Sequence, residues 1–350
     1  MKTRIILTQY PAFTGVGKYV QQLIEINQSN SKVYSMLFKK NYTNRPYYGD
    51  ILQGKFQIPF TSGWYLNSGF QRFAYPKYVK EMKKKDRSGN YFFHYSDFGL
   101  QPFTSYENSV LTIHDFFLVL PKYKKYNYKA QPLLKKNVNK YLKFEHLMAD
   151  TKHVADEAIE YGFEHKPIVA YPYAGEHIHM YSDKKKCRDY FNLPSDKKLI
   201  LSISSNDPRK NNGAVKDTMD ILDRSFKLVR VGPAFENAYN FKNLSDSEIN
   251  LLYNACDVFL FPTLDEGLGF PLIESMAAGI PIVSSDIEAV REICEDSAVL
   301  IEPTPVNLSK GIHEAIQNRD EYIKKGLKRS LFFSRENFHR TVNSVYKKIS

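Results

Sequence analysis

The sequence predicts an α/β protein built from two doubly wound parallel-sheet domains. Three observations carry that expectation. Short β-branched and aromatic runs alternate with helical periodicity through most of the 350 residues, the signature of parallel strands joined by crossover helices. The alternation starts afresh near Asp196-Lys197-Lys198-Leu199. The length also exceeds the ~150 residues of a common single domain. A hydrophobic content of 43% with 25% charged residues is globular and excludes wholesale disorder. Cys187, Cys256 and Cys294 form no CxxC pair, which excludes a disulfide framework or zinc ribbon and fits a reducing compartment. No apolar run approaches the ~18–20 residues that span a bilayer. The stretch from Met1 to Leu7 has too short an apolar core for a signal peptide and reads as a first strand.

Element by element, a strand is expected at residues 4–7 and a helix at 17–26, then strands at 33–38, 91–95, 110–114 and 167–171, with helical periodicity over 128–148. A domain boundary falls within 173–195. Beyond it, strands are expected at 199–203, 228–231, 258–261, 281–284 and 298–301, with helices between most of them. One helix is announced by the capping box Ser245-Asp246-Ser247-Glu248 ahead of Ile249, Leu251 and Leu252. Open α/β sheets bind ligands beyond the carboxyl ends of their strands, so the chemistry belongs in loops directly after strands. Two such domains, residues 1–175 and 176–332, would face each other across a cleft.

The most informative stretch runs from Asp257 to Gly279 as strand, loop and helix. Its glycines let the backbone approach a ligand, and Pro271 suits a first helical turn. Amide groups from Gly269 onward at the helix start favour an anion. Glu274, about one turn in, suits vicinal hydroxyls, and Glu266 on the loop meets the other half of the same ligand. Phosphate and hydroxyls recognised together describe a nucleotide sugar.

The Glu-x7-Glu pattern within EGLGFPLIESMAAGIPIVSSD resembles the donor-site signature of the GT-B glycosyltransferases of family 4 (glycosyltransferases group 1). The resemblance is specific over residues 199–303 and weaker elsewhere. It implies two Rossmann-like domains, an acceptor domain at 1–175 and a donor domain at 176–332, closed by a helix in 333–350 that crosses back to the first. It implies that Glu274 holds the ribose hydroxyls, that Glu266 lies beside the transferred sugar, and that the backbone of Gly267, Leu268, Gly269 and Phe270 binds sugar or diphosphate. Asp207-Pro208-Arg209-Lys210-Asn211-Asn212 resembles the family's Arg-Lys-Asn element, which puts Lys210, with Arg209 beside it, on the diphosphate. Many members carry a further arginine five residues before Arg209, where this chain has Ser204. Thr112-Ile113-His114-Asp115-Phe116 resembles the TIHD-type element, implying that His114, with Asp115 next to it, faces the donor sugar across the cleft. His114, Glu266 and Lys210 are thus the expected catalytic residues. Gly15, Val16 and Gly17 resemble the family's N-domain glycine loop. As a dinucleotide fingerprint the stretch fails, because Val20 takes the place of the last glycine. His94, closing another strand, either lines the cleft or is a core or rim histidine. In the closing segment Arg335 stands where members often have Trp.

The net charge is +11, and residues 1–175 hold 25 Lys+Arg against 13 Asp+Glu, so the excess lies in the N-terminal half. That balance suits nucleic acid, an anionic membrane or an anionic substrate. Residues 122–143 hold eight lysines and no acid, interleaved with Tyr123, Tyr126, Tyr128 and Tyr141. A second run is Lys77, Lys80, Lys83, Lys84, Lys85 and Arg87 with Tyr78 and Met82. Such faces lie on anionic lipid, each cation contributing ~1 kcal/mol, or are plain solvated surface. No recognition helix, zinc finger or RNP-type sequence accompanies the charge, so nucleic acid is not an expected partner. The expected function is retaining transfer of a hexose (mannose or glucose) from a nucleotide-diphosphate sugar to a hydroxyl acceptor, a glycan or lipid-linked glycan. No cofactor or essential metal is expected, and the location is cytoplasmic, with peripheral attachment to the inner membrane face. A GT-B sugar phosphorylase or epimerase and a non-catalytic nucleotide-sugar-binding protein are the alternatives.

Overall fold

The computed structural model describes residues 2–8, 14–26, 31–35, 50–51, 75–100, 102–103, 106–126 and 132–349. The chain divides into two units, Met1–Pro172 with Phe338–Ser350, and Tyr173–Asn337. Each is an all-parallel sheet clothed by helices.

In the first unit the order is β1 (Thr3–Thr8), α1 (Gly15–Glu25), β2 (Ser31–Ser35), β3 (Asp50–Ile51), α2 (Tyr75–Asp86), β4 (Tyr91–Tyr95), β5 (Ser109–Ile113), α3 (Pro132–Val138), β6 (Leu147–Ala149), α4 (Lys152–Tyr161) and β7 (Ile168–Val169). The strands lie in the order β3-β2-β1-β4-β5-β6-β7. Their apolar runs are buried on both faces, as Ile5, Ile6, Phe93, Leu111 and Ile113 show, which is why they lack the alternation of a half-exposed sheet. One expectation fails here. Residues 128–148 are not one helix: α3 ends at Val138, a 3₁₀ turn follows, and Leu147–Ala149 is β6, paired with β5. A three-residue apolar run carries no periodicity that separates a strand from a helix turn. Residues 127–131 of that stretch, with Tyr128, and residues 36–38 of the second expected strand lie outside the described residues.

The second unit holds α5 (Lys184–Tyr190), β8 (Lys198–Ile203), α6 (Asn212–Ile221), β9 (Phe226–Val231), β10 (Tyr239–Phe241), α7 (Asp246–Ala255), β11 (Val258–Phe261), α8 (Phe270–Ala278), β12 (Ile282–Ser285), α9 (Glu288–Cys294), β13 (Val299–Ile301), α10 (Pro305–Gln317) and α11 (Arg319–Ser330). Its sheet order is β10-β9-β8-β11-β12-β13. The core is built from Ile200, Leu228, Val258, Leu260 and Val283 of the sheet against Val215, Leu308 and Ile312 of the helices. The predicted capping box is present: Glu248 N donates to Ser245 Oγ (3.2 Å), and Ser245 N donates to Glu248 Oε2 (2.7 Å). β3, β10 and β6 were not foreseen.

The last helix, α12 (Arg335–Tyr346), joins the first unit from Phe338 onward. Phe338 meets the Tyr19 ring edge-on at 5.3 Å, and Tyr346 lies under the Arg4 guanidinium at 4.8 Å. Both sheets reverse direction at a central pair, β1/β4 and β8/β11, and crevices for ligands form at such points.

Candidate functional site

In the second unit the loops leaving β8 and β11 converge. After β8 the chain makes a 3₁₀ turn, Pro208–Lys210, capped by the Asp207 carboxylate on Arg209 N at 3.0 Å. The Arg209 guanidinium then closes on Asp207 (3.1 and 3.2 Å) and reaches the Asp265 carbonyl at 3.3 Å. Leu264 N donates to Arg209 O at 2.7 Å, and Thr263 Oγ1 lies 3.1 Å from the same carbonyl. These bonds fix one loop on the other. Lys210 ion-pairs with Glu266, whose same oxygen also accepts from Thr263 Oγ1 at 2.9 Å. Arg209 is therefore a tie between loops, its charge answered locally. Lys210, on the same turn, holds the carboxylate of the other loop.

From Glu266 the chain passes Gly267 and Leu268 to Gly269, whose φ of +82° only glycine adopts readily. Gly269 heads α8, with Pro271 in its first turn and no side-chain cap, so the positive end of the helix dipole lies at the end of the loop that carries Glu266. Glu274 is 3% exposed in the body of α8 and accepts from the Tyr253 hydroxyl at 3.0 Å. Burial first, and the Glu274 charge after it, push the Tyr253 phenol pKa well up, so it stays a donor. Lys210, Arg209 and Glu266 are thus brought together where the loops leave β8 and β11, and the second loop runs on through Gly267–Gly269 into α8, which carries Glu274. No group of three or more His, Cys, Asp or Glu residues among the described residues is placed to hold a metal ion.

The first-unit residues are built differently. Gly15, Val16 and Gly17 are not a loop but the first turn of α1, capped by Thr14, whose hydroxyl accepts from Gly17 N at 3.0 Å. Capping completes the turn two residues earlier than the apolar periodicity indicated. His114, just past β5, is held by Asp150 on Nδ1 (2.6 Å) and the Ser96 carbonyl on Nε2 (2.7 Å). Both partners are acceptors, which calls for an imidazolium. Burial pulls its pKa down, but Asp150, aided by Asp97 and Asp115, overrides this and the net is upward. Asp115 accepts from Phe117 N at 3.2 Å. His94 is fully buried within β4, between the Tyr346 hydroxyl and Thr112 Oγ1, each at 2.7 Å. It ties the last helix to the sheet core. Burial, then Arg4 and His114, hold it neutral, well below the usual histidine pKa.

Of the lysine-rich segment, Tyr123, Tyr126 and Tyr141 are buried, so those rings are core, not part of a surface stripe. Lys122 is paired with Glu157 and Glu160 at 2.8 and 3.0 Å. Sequence reading missed Thr263, Tyr253 and Asp150. Thr263 sat inside the strongest motif, Asp150 followed the unrecognised β6, and nothing marked Tyr253.

Residues 183–329 match the family model described as glycosyl transferases group 1. The chain is 30% identical over 106 residues to O-antigen chain mannosyltransferase B of Escherichia coli, covering 29% of this chain and 28% of that protein. It is 23% identical over 149 residues to O-antigen chain mannosyltransferase RfbU of Salmonella typhimurium, covering 38% and 41%. It thus spans well under half the length of these curated relatives. Solved structures align over nearly all of both chains. Sucrose-phosphate synthase of Thermosynechococcus elongatus has a TM-score of 0.79 at 15% identity, covering 99% of this chain and 98% of that one. Anabaena HepE in complex with UDP and glucose has a TM-score of 0.76 at 14% identity, covering 99% and 100%. The chain has the GT-B fold, and its residues 183–329 are similar to the glycosyl transferases group 1 family.

Proposed function

We propose that the protein is a retaining glycosyltransferase that moves a hexose from a nucleoside-diphosphate sugar to a hydroxyl acceptor. The observation that carries this reading is the convergence of Lys210, Glu266 and the α8 start at the sheet reversal of the second unit. There the α8 dipole and Lys210 meet the diphosphate, and Glu274 takes the ribose hydroxyls. Glu266 is bound by both Lys210 and Thr263. A carboxylate so engaged is a poor nucleophile, so the two-carboxylate double displacement of glycosidases is not favoured. The acceptor oxygen instead attacks on the face that the diphosphate leaves, and a phosphate oxygen takes its proton. The leaving charge is met by Lys210 and the helix start, without a metal ion.

The mannosyltransferase relatives make mannose the first donor sugar to test, with glucose next. The O-antigen chain named for these relatives supports a glycan or lipid-linked glycan as the acceptor. The exposed lysines of α2 and of residues 122–143 suit an anionic surface. No helix of the described residues is long and apolar enough to cross a membrane. The test is incubation of the chain with GDP-mannose or UDP-glucose, with and without glycan acceptors. Release of nucleoside diphosphate that requires the acceptor is expected. Binding without turnover under any acceptor would indicate a nucleotide-sugar sensor. Consumption of donor without an acceptor-linked product would indicate a phosphorylase or epimerase.

A further inference from the structure

The most buried charge in the second unit belongs to no ion pair. Arg230, on β9, is wholly buried and is among the largest fully buried side chains. Its five N–H donors all end on neutral oxygens. Nε reaches Pro233 O (3.2 Å), one terminal nitrogen the hydroxyls of Ser202 and Ser204 (2.9 Å each), and the other Ser204 O (3.0 Å) and Asn212 Oδ1 (3.1 Å). Phe235 stacks on the guanidinium at 4.8 Å. Buried charges are ordinarily paired, because an isolated one costs far more than a hydrogen-bonded neutral group. Burial pushes this arginine down to about 10.

Its partners decide where the charge acts. Ser204 is the first residue after β8, and Asn212 begins α6, so the guanidinium clasps both ends of the loop that carries Arg209 and Lys210. Gly232 lets the backbone close over it, since a Cβ there would stand 2.1 Å from Ser204 O. We propose that Arg230 is a positioning residue and an uncompensated cation behind the Lys210 loop, and that the ligand's diphosphate is the anion that answers it. The proposal rests on the nucleotide-sugar reading above.

The test is calorimetric titration of the full chain with GDP, UDP and the two monophosphates. Arg230→Gln removes the charge. Ser202→Asp keeps the arginine and gives it an internal carboxylate. The first strips bonds from a buried cluster, whereas the second exchanges the Ser202 hydroxyl for a charge-paired carboxylate, so the two variants perturb folding in different ways and either folded one suffices. In each, the preference for diphosphate over monophosphate should fall about tenfold, the scale of one charge interaction at partly screened range. Arg230→Lys should keep it, and so should Arg230→Gln combined with Ser204→Arg. A purely structural role would weaken all ligands alike. A folded Arg230→Gln or Ser202→Asp chain with the wild-type preference overturns the proposal. A wild-type chain that binds neither diphosphate overturns this proposal and the function together.

Discussion

Glu274 and Tyr253 form a buried carboxylate–phenol contact in which only the phenol can donate. Tyr253→Phe keeps the shape and deletes that one bond, so donor affinity should drop several-fold, the ~0.5–1.5 kcal/mol of a single hydrogen bond. Glu274→Ala deletes the group proposed to hold the ribose hydroxyls and should weaken binding far more; unchanged affinity by calorimetry would remove Glu274 from the site. Lys210→Ala should lower kcat by roughly 10²–10³, as loss of one preorganised charge does, with a smaller change in KM. The two buried histidines set opposite pH dependences. His94 is held below the usual value, so the unfolded chain takes up a proton that the folded one refuses, and stability falls as pH drops below about 6.5. His114 is raised, so its contribution is complete below about pH 6.5 and is lost as pH climbs through the raised value. Urea titrations from pH 5 to 8 should show His94→Gln flattening the acid side and His114→Gln the alkaline side; unchanged profiles would contradict both assignments.

The long strands were readable because their apolar runs are continuous: β4 and β11 have the bounds expected of them, and β1 and β8 extend the expected runs by one or two residues. β3, β6 and β10 have two or three residues each, and so short a run gains its meaning from the strand beside it. The first turn of α1 was hidden for a similar reason, since Thr14 caps it with a side chain that no periodicity reports. Packing between elements is equally specific. Gly311 of α10 lies so close to the sheet that a Cβ would stand 2.7 Å from Ile301 Cδ1 and 3.1 Å from Val283 Cγ1. Gly311→Ala should cost ~1–3 kcal/mol of stability through overpacking. At the far end of the β8/β11 pair, Asp257 holds Lys184 (2.5 Å), Arg188 (2.8 Å) and Leu199 N (2.7 Å). Asp257→Ala leaves Arg188 without its carboxylate and should cost ~3–5 kcal/mol, read as a lowered denaturation midpoint with donor contacts untouched.

Two units whose sheets share one order over six strands, the first adding β7, divide the charge unequally, the basic excess falling in the N-terminal half. That asymmetry and the two-domain plan could be read from composition and alternation alone. The candidate site was legible only where it is contiguous in sequence, from Glu266 to Glu274, and where one adjacent motif carries Lys210. Groups that act on it from other strands and helices, such as Thr263 bridging two loops, Tyr253 under Glu274 and Arg230 behind Ser204, depend on folding to be brought there. The His114 element was also legible as a motif, but its imidazolium pairing with Asp150 depends on β6. The central claim is that this scaffold transfers a hexose with its anomeric configuration kept. Proton NMR of the glycoside formed from an α-linked nucleoside-diphosphate hexose tests it most directly. An α-linked product, formed undiminished in the presence of a chelator, is the predicted result; a β-linked product, or none from any donor that the chain binds, would contradict it.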